Sequence, residues 1–132
     1  MTRTDVETLR RAWDAFTRGD VAAAADALDP EVRWYGAGDP EGEGSCHNRE
    51  EAAAFIRRAL ADGLTAELLD IRDAGECLVA VIHAHAPQDW ERSPEPHGEV
   101  VTIRDGKITE MVVYPTVEDA FTAAGIEGKP LG

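Results

Sequence analysis

His83 and His85 stand two residues apart at the end of the apolar run Val81-Ile82-His83-Ala84-His85-Ala86-Pro87. Side chains on a strand alternate between faces, so both imidazoles share one face, as in half of a metal site or one wall of a catalytic pocket. His47 lies in Gly44-Ser45-Cys46-His47-Asn48, just before a helix start. A histidine there is either a surface loop residue or a general acid or base at a pocket rim, since an imidazole exchanges protons near neutral pH. Cys46 beside it is a nucleophile only where its thiol is acidified, and otherwise a buried inert thiol. Glu99 and Glu110 are tied to one outcome by the strands that carry them. An ionised glutamate is costly to bury unless paired.

The elements that must position these groups are legible from spacing. Val6, Leu9, Trp13 and Phe16 recur at helical intervals, with Thr4 and Glu7 as a capping box and Gly19 as the stop. Asp20 caps a second helix, VAAAADAL, which ends at Asp29-Pro30. EVRWYG is a short strand, followed by a Gly-rich acidic loop. Asn48 and Glu51 open the clearest helix, with Ala52, Phe55, Ile56, Ala59 and Leu60 as its buried stripe and Gly63 as its end. The second half is strand-like: LTAELLDIRD, ECLVAVIHAHAP, a polar loop holding Trp90, and a hairpin turning at Asp105-Gly106. A two-residue turn there pairs Arg104 with Lys107, Ile103 with Ile108, Val101 with Glu110 and Val100 with Met111. Met111 and Val113 are expected to face the core and Glu110 to face outward, unless a β-bulge breaks the parity. An inward Glu110 would be the leading general base. Thr116 caps a last short helix, VEDAFTAAG.

This order defines an α+β fold: helices segregated against a curved sheet, leaving a concave space suited to a small molecule. One domain spans residues 1–132. The formal net charge of -13 argues against nucleic-acid binding, because phosphates would repel the chain. Two cysteines 31 positions apart form neither a zinc knuckle nor a disulfide framework. No apolar run spans a membrane and no signal peptide is visible, so a cytoplasmic location is expected.

The words AWDAFTRGDVAAAADALDPEVRW, CHNREEAAAFIRRAL, RDGKITEMVVY and EDAFTAAGI, running from about residue 6 to 126, resemble the nuclear transport factor 2-like superfamily. Within it the chain is most similar to the SnoaL-like group, which includes polyketide cyclases and relatives of ketosteroid isomerase and limonene epoxide hydrolase. The resemblance implies a cone-shaped barrel of three N-terminal helical segments on a mostly antiparallel sheet, with a short C-terminal helix. It also implies a pocket in the cone and a homodimer formed through the sheet. This fold hosts many chemistries and some proteins with none. Ketosteroid isomerases carry a tyrosine where Trp13 stands and an aspartate near Tyr35 or Gly36, so their mechanism does not transfer. The place of a further family aspartate is Thr116, a helix cap. No Asp/Arg/Asp network of the epoxide hydrolase kind can be assembled.

The resemblance points to an isomerase, cyclase or hydrolase without a cofactor, acting on a hydrophobic molecule. His47 is the catalytic candidate, and Trp13, Phe16, Trp34, Phe55, Trp90, Met111 and Tyr114 are the ligand-binding candidates. The alternatives are a non-catalytic binding or sequestering protein, or a dimeric accessory protein whose pocket is filled. His83, His85, Glu91 and His97 faintly resemble the cupin metal pattern, but cupins are double-sheet jelly rolls without three helical segments. No metal is expected. The alternation Leu78, Ala80, Ile82, Ala84 against Val79, Val81, His83, His85 makes the first set the better core face. The histidine pair is then an outward or dimer-facing fringe.

Overall fold

The computed structural model describes residues 3–42, 45–85 and 96–126. Its elements are α1 (Arg3–Thr17), α2 (Val21–Asp26), β1 (Leu28–Gly36), α3 (Arg49–Ala61), β2 (Thr65–Asp73), β3 (Leu78–His85), β4 (His97–Arg104), β5 (Lys107–Tyr114) and α4 (Val117–Ala124). The strands form one sheet in the order β1-β5-β4-β3-β2. β1 runs parallel to β5, and the other pairs are antiparallel.

Capping chemistry sets the helix boundaries. The side chains of Asp20, Asn48 and Thr116 accept the backbone N–H of Ala23, Glu51 and Asp119. These bonds satisfy donors that the first turn leaves unpaired. Thr4 is not a cap: α1 already includes Arg3, and the Thr4 carbonyl accepts the Thr8 hydroxyl inside the helix. α2 ends two residues before Leu28, which belongs to β1. Asp29-Pro30 bars the helix from continuing, and Ile108 N donates to the Ala27 carbonyl at 2.8 Å, drawing the chain onto β5.

One face of the sheet is covered by α1–α3. Leu9 and Ala52 pack there with Leu78, Ala80, Ile82, Val101, Ile103 and Met111. The opposite face is partly covered by α4, whose Ala120 and Phe121 bury Val79 and Val81. Burial on both faces explains why β3 reads as a continuous apolar run before its histidines.

The β4–β5 hairpin departs from simple two-residue pairing. Asp105 and Gly106 both adopt positive φ, 52° and 78°, as the primed turn requires. Arg104 pairs with Lys107 and Ile103 with Ile108. The register then shifts: Thr102 faces Glu110, Val101 faces Met111, and Glu99 faces Val113. Thr109 is the extra residue of this bulge, and its hydroxyl donates to the Thr102 carbonyl at 3.3 Å. The expected pairings of Val101 with Glu110 and of Val100 with Met111 are therefore replaced. Met111 still faces the helices and Glu110 still faces away, where its carboxylate accepts the Tyr35 hydroxyl at 3.0 Å.

Candidate functional site

Between α1, α3 and the sheet lies a cavity of about 260 Å³. Its walls follow from the periodicities. Leu9, Trp13 and Phe16 come from one stripe of α1, and Phe55 and Ile56 from α3. The sheet contributes alternate residues: Ala80, Ile82 and Ala84 from β3, Val101 from β4, Met111 and Val113 from β5, and Trp34 from β1. Trp34 meets Phe55 edge-on, with ring centroids 5.0 Å apart and planes at 75°, an arrangement that suits the ring quadrupoles. Trp13 donates its indole N–H to the Ala66 carbonyl at 3.2 Å. Its polar edge is thereby satisfied and its ring serves as apolar wall.

Two ionisable side chains interrupt this wall from β4. Ile82 pairs with His97 and Ala80 with Glu99, so both project to the cavity side of the sheet. Glu99 is 4% exposed. Its Oε2 lies 3.6 Å from His97 Nε2, beyond ordinary hydrogen-bond reach. Its Oε1 is buried and has no hydrogen-bond partner among the described residues. The cross-strand neighbours of Glu99 are Ala80 and Val113, neither of which offers a polar side chain. A carboxylate so placed retains the capacity to accept a proton or a hydrogen bond from whatever enters the cavity.

The mouth is edged by the segment after β1, through Asp39, Gly42, Ser45 and Cys46. Reciprocal backbone bonds, Trp34 N to Cys46 O at 3.0 Å and Cys46 N to Trp34 O at 2.8 Å, pin that segment beside the aromatic wall. Burial, and secondarily the charge of Glu51, push the Cys46 thiol above its ordinary pKa. The thiol at neutral pH is therefore a poor nucleophile.

The structure brings Trp13, Phe16, Trp34, Phe55 and Met111 together around the cavity. Tyr114 lies on the other face, packed with the α4 cluster. Trp90 falls outside the described residues. His47 is exposed and is not part of the cavity wall. Its Nε2 lies 2.8 Å from Glu41 Oε2 and its Nδ1 3.1 Å from Glu51 Oε1. Both partners are acceptors when ionised, so this geometry selects the doubly protonated imidazolium. The hydrogen bond to Glu41, then the one to Glu51, raise the His47 pKa. The ring contact in turn lowers Glu41, and the His47 backbone N–H, then the ring, lowers Glu51. A raised histidine contributes stability that is complete below about pH 6.5 and is lost as pH rises through the folded value. The lowered carboxylates contribute above their ordinary range near 4.3 and lose that contribution as pH falls through their folded values. The clasp is thus strongest in the window between. An NMR titration of the His47 imidazole is expected to give a midpoint above about 6.5, and Glu41→Gln to lower it. A midpoint at or below that value would show the clasp absent in solution.

His83 and His85 project to the face opposite the cavity, their ring centroids 4.4 Å apart. His97 is on the cavity side, so the sheet itself divides the histidines of the metal pattern. Glu91 lies outside the described residues. Among the described residues no group of three His, Cys, Asp or Glu side chains is placed to hold a metal ion.

Spacing did not single out His97 and Glu99 as the polar groups of the cavity. Their i, i+2 relation places them on one face, and the pairing of β4 with β3 decides which face that is.

The fold is α+β, with an aromatic-lined cavity and one buried carboxylate between the helices and a mixed sheet. The family model described as the SnoaL-like domain matches residues 9–111, and the chain belongs to that family. Among solved structures it is similar to Bal32a from a soil-derived mobile gene cassette, with TM-score 0.72 and 20% identity over 83% of this chain and 87% of the other. It is similar to an LEH-like epoxide hydrolase of M. tuberculosis, with TM-score 0.69 and 17% identity over 93% of this chain and 90% of the other. It is also similar to a candidate polyketide cyclase of Xanthomonas campestris, with TM-score 0.63 and 24% identity over 92% and 97%. At these identities the likeness is one of fold. No protein with curated annotation matches the sequence. No helix among the described residues is long and apolar enough to cross a membrane.

Proposed function

We propose that the protein is an isomerase, cyclase or hydrolase that acts on an apolar small molecule inside the cone by acid/base chemistry without a cofactor. Glu99 is the proton-transferring group, and His97 is its partner. The observation that carries this reading is the carboxylate of Glu99, buried in an aromatic and aliphatic cavity with one oxygen unpaired among the described residues. Proton transfer from a positioned group of this kind contributes about 10²–10⁴-fold to a rate. Gly36, which lines the cavity, supplies no carboxylate, so Glu99 stands as the base from the central strand β4. The fold-level neighbours support small-molecule chemistry as a class.

The test is deuterium exchange. Small cyclic ketones and lactones incubated with the protein in D₂O are expected to gain deuterium at the carbon next to the carbonyl, followed by NMR. A parallel panel of epoxides reports hydration. The Glu99→Gln variant is expected to lose whichever activity is found. Exchange that survives this change would remove Glu99 from the role. A second reading, binding without turnover, is favoured by the aromatic and aliphatic side chains that make up most of the wall. It predicts ligand affinity with no exchange in either panel.

A further inference from the structure

The ionisable groups on the cavity wall are unequal in sign. Asp39 at the mouth and Glu99 in the depth are carboxylates, and His97 is the one basic side chain on the wall among the described residues. No lysine or arginine lines the cavity among the described residues. An anionic ligand would therefore meet two carboxylates with no guanidinium or ammonium to receive it. A donor-bearing ligand meets the reverse situation. Glu99 already has a loose partner on Oε2, and Oε1 has none among the described residues. The carboxyl turns about a soft terminal torsion, so it can offer an oxygen to the cavity while His97 keeps the other. Hydrogen bonds to an ionised acceptor from a charged donor are about twice as strong as neutral ones. The rings of Trp13, Phe16, Trp34 and Phe55 supply π faces that attract a cation. The net charge of -13 raises the local concentration of cations near the surface. The cavity, about 260 Å³, falls below the range of about 300–1,000 Å³ typical of drug-sized sites. Its occupant is thus small.

We propose that this cavity is selective for small apolar amines, the protonated nitrogen donating to Glu99 and the hydrocarbon part lying against the aromatic wall. The inference rests on the cavity being the binding site, as in the reading above, but not on turnover there.

Three probes of similar size separate the possibilities: 2-phenylethylamine, 2-phenylethanol and 3-phenylpropionate, titrated by calorimetry into the full chain at neutral pH. The amine is expected to bind at least about tenfold more tightly than the alcohol, as the gain from a charged donor implies. The carboxylate is expected not to bind measurably. Glu99→Gln is expected to erase the preference for the amine over the alcohol. Equal affinities, tighter binding of the alcohol or the carboxylate, no binding of the amine, or a preference that persists in Glu99→Gln would each overturn the proposal. The wild-type comparison stands by itself if the variant does not fold. Amine selectivity with no activity in any exchange or hydration assay leaves this inference intact and removes the catalytic one. Glu99-dependent activity on a neutral substrate without amine selectivity does the opposite.

Discussion

Replacing Glu99 by leucine is expected to make the protein more stable and catalytically silent at once. The stability argument starts from Oε1, buried without a partner among the described residues. Leaving such a group unsatisfied costs about 1–3 kcal/mol, and more when it is charged. Leucine occupies a similar volume and meets Ala80 and Val113 across the strands without any polar atom to satisfy. A gain of about 1–3 kcal/mol is expected, read as a higher urea midpoint with an unchanged slope. The activity argument runs the other way, since the proton-transferring group is gone and about 10²–10⁴-fold is lost. Glu99→Gln should lose activity equally while gaining less stability, because its amide keeps polar atoms buried. The pair separates two roles for Glu99. If leucine destabilises the protein, the carboxylate serves the fold. If it stabilises and silences, the carboxylate is retained at a cost to stability, as groups held for function are.

Most of the scaffold could be read from residue order. The stripe Leu9, Trp13, Phe16 and the helix opened by Asn48 depend on i, i+3, i+4 spacing and short-range capping, which are local properties. The alternation in β3 is local too, and it places Ala80, Ile82 and Ala84 on the cavity. The polar residues of the cavity were harder because their orientation is not local. His97 and Glu99 face the cavity through the pairing of β4 with β3. Glu110 faces away through a pairing that one inserted residue has shifted. Without Thr109 as a bulge, Glu99 and Glu110 would share a face. With it, one carboxylate enters the cavity and the other bonds Tyr35 outside. A bulge of this kind is invisible to period-2 counting because it changes the count itself.

His47 shows the converse. Its type and its position before a helix matched a rim acid or base, yet two carboxylates, one on the neighbouring loop and one on α3, claim both ring nitrogens. The capping pattern that identified α3 also supplies Glu51, which accepts the backbone N–H of His47 at 2.7 Å. The imidazole clasps the loop bearing Asp39 and Gly42 to the helix.

Gly98 sits between His97 and Glu99 on the opposite face, paired with Tyr114 and Val81. A Cβ placed there would lie 2.4 Å from the Ala120 Cβ, a separation no pair of carbons tolerates. The neighbouring Val117 Cα and Thr116 carbonyl are at 3.6 and 3.7 Å, so the helix backbone stands close behind. Gly98 thus allows α4 to lie directly on β4. Gly98→Ala is expected to cost about 1–3 kcal/mol, the range for overpacking a closed interface. It must push either α4 outward or β4 toward the cavity. The second response moves His97 and Glu99 together, and a displacement near 1 Å can cost about 100-fold in rate. The partner substitution Ala120→Gly removes the opposing methyl. Alone it costs about 1 kcal/mol as a glycine inside a helix. Combined with Gly98→Ala it should recover most of the loss, giving a favourable coupling of about 0.5–3 kcal/mol between the two sites. Urea denaturation of the four proteins measures it. Additive losses would show that the strand and helix already have room to part, and that the placement of the buried pair does not depend on α4.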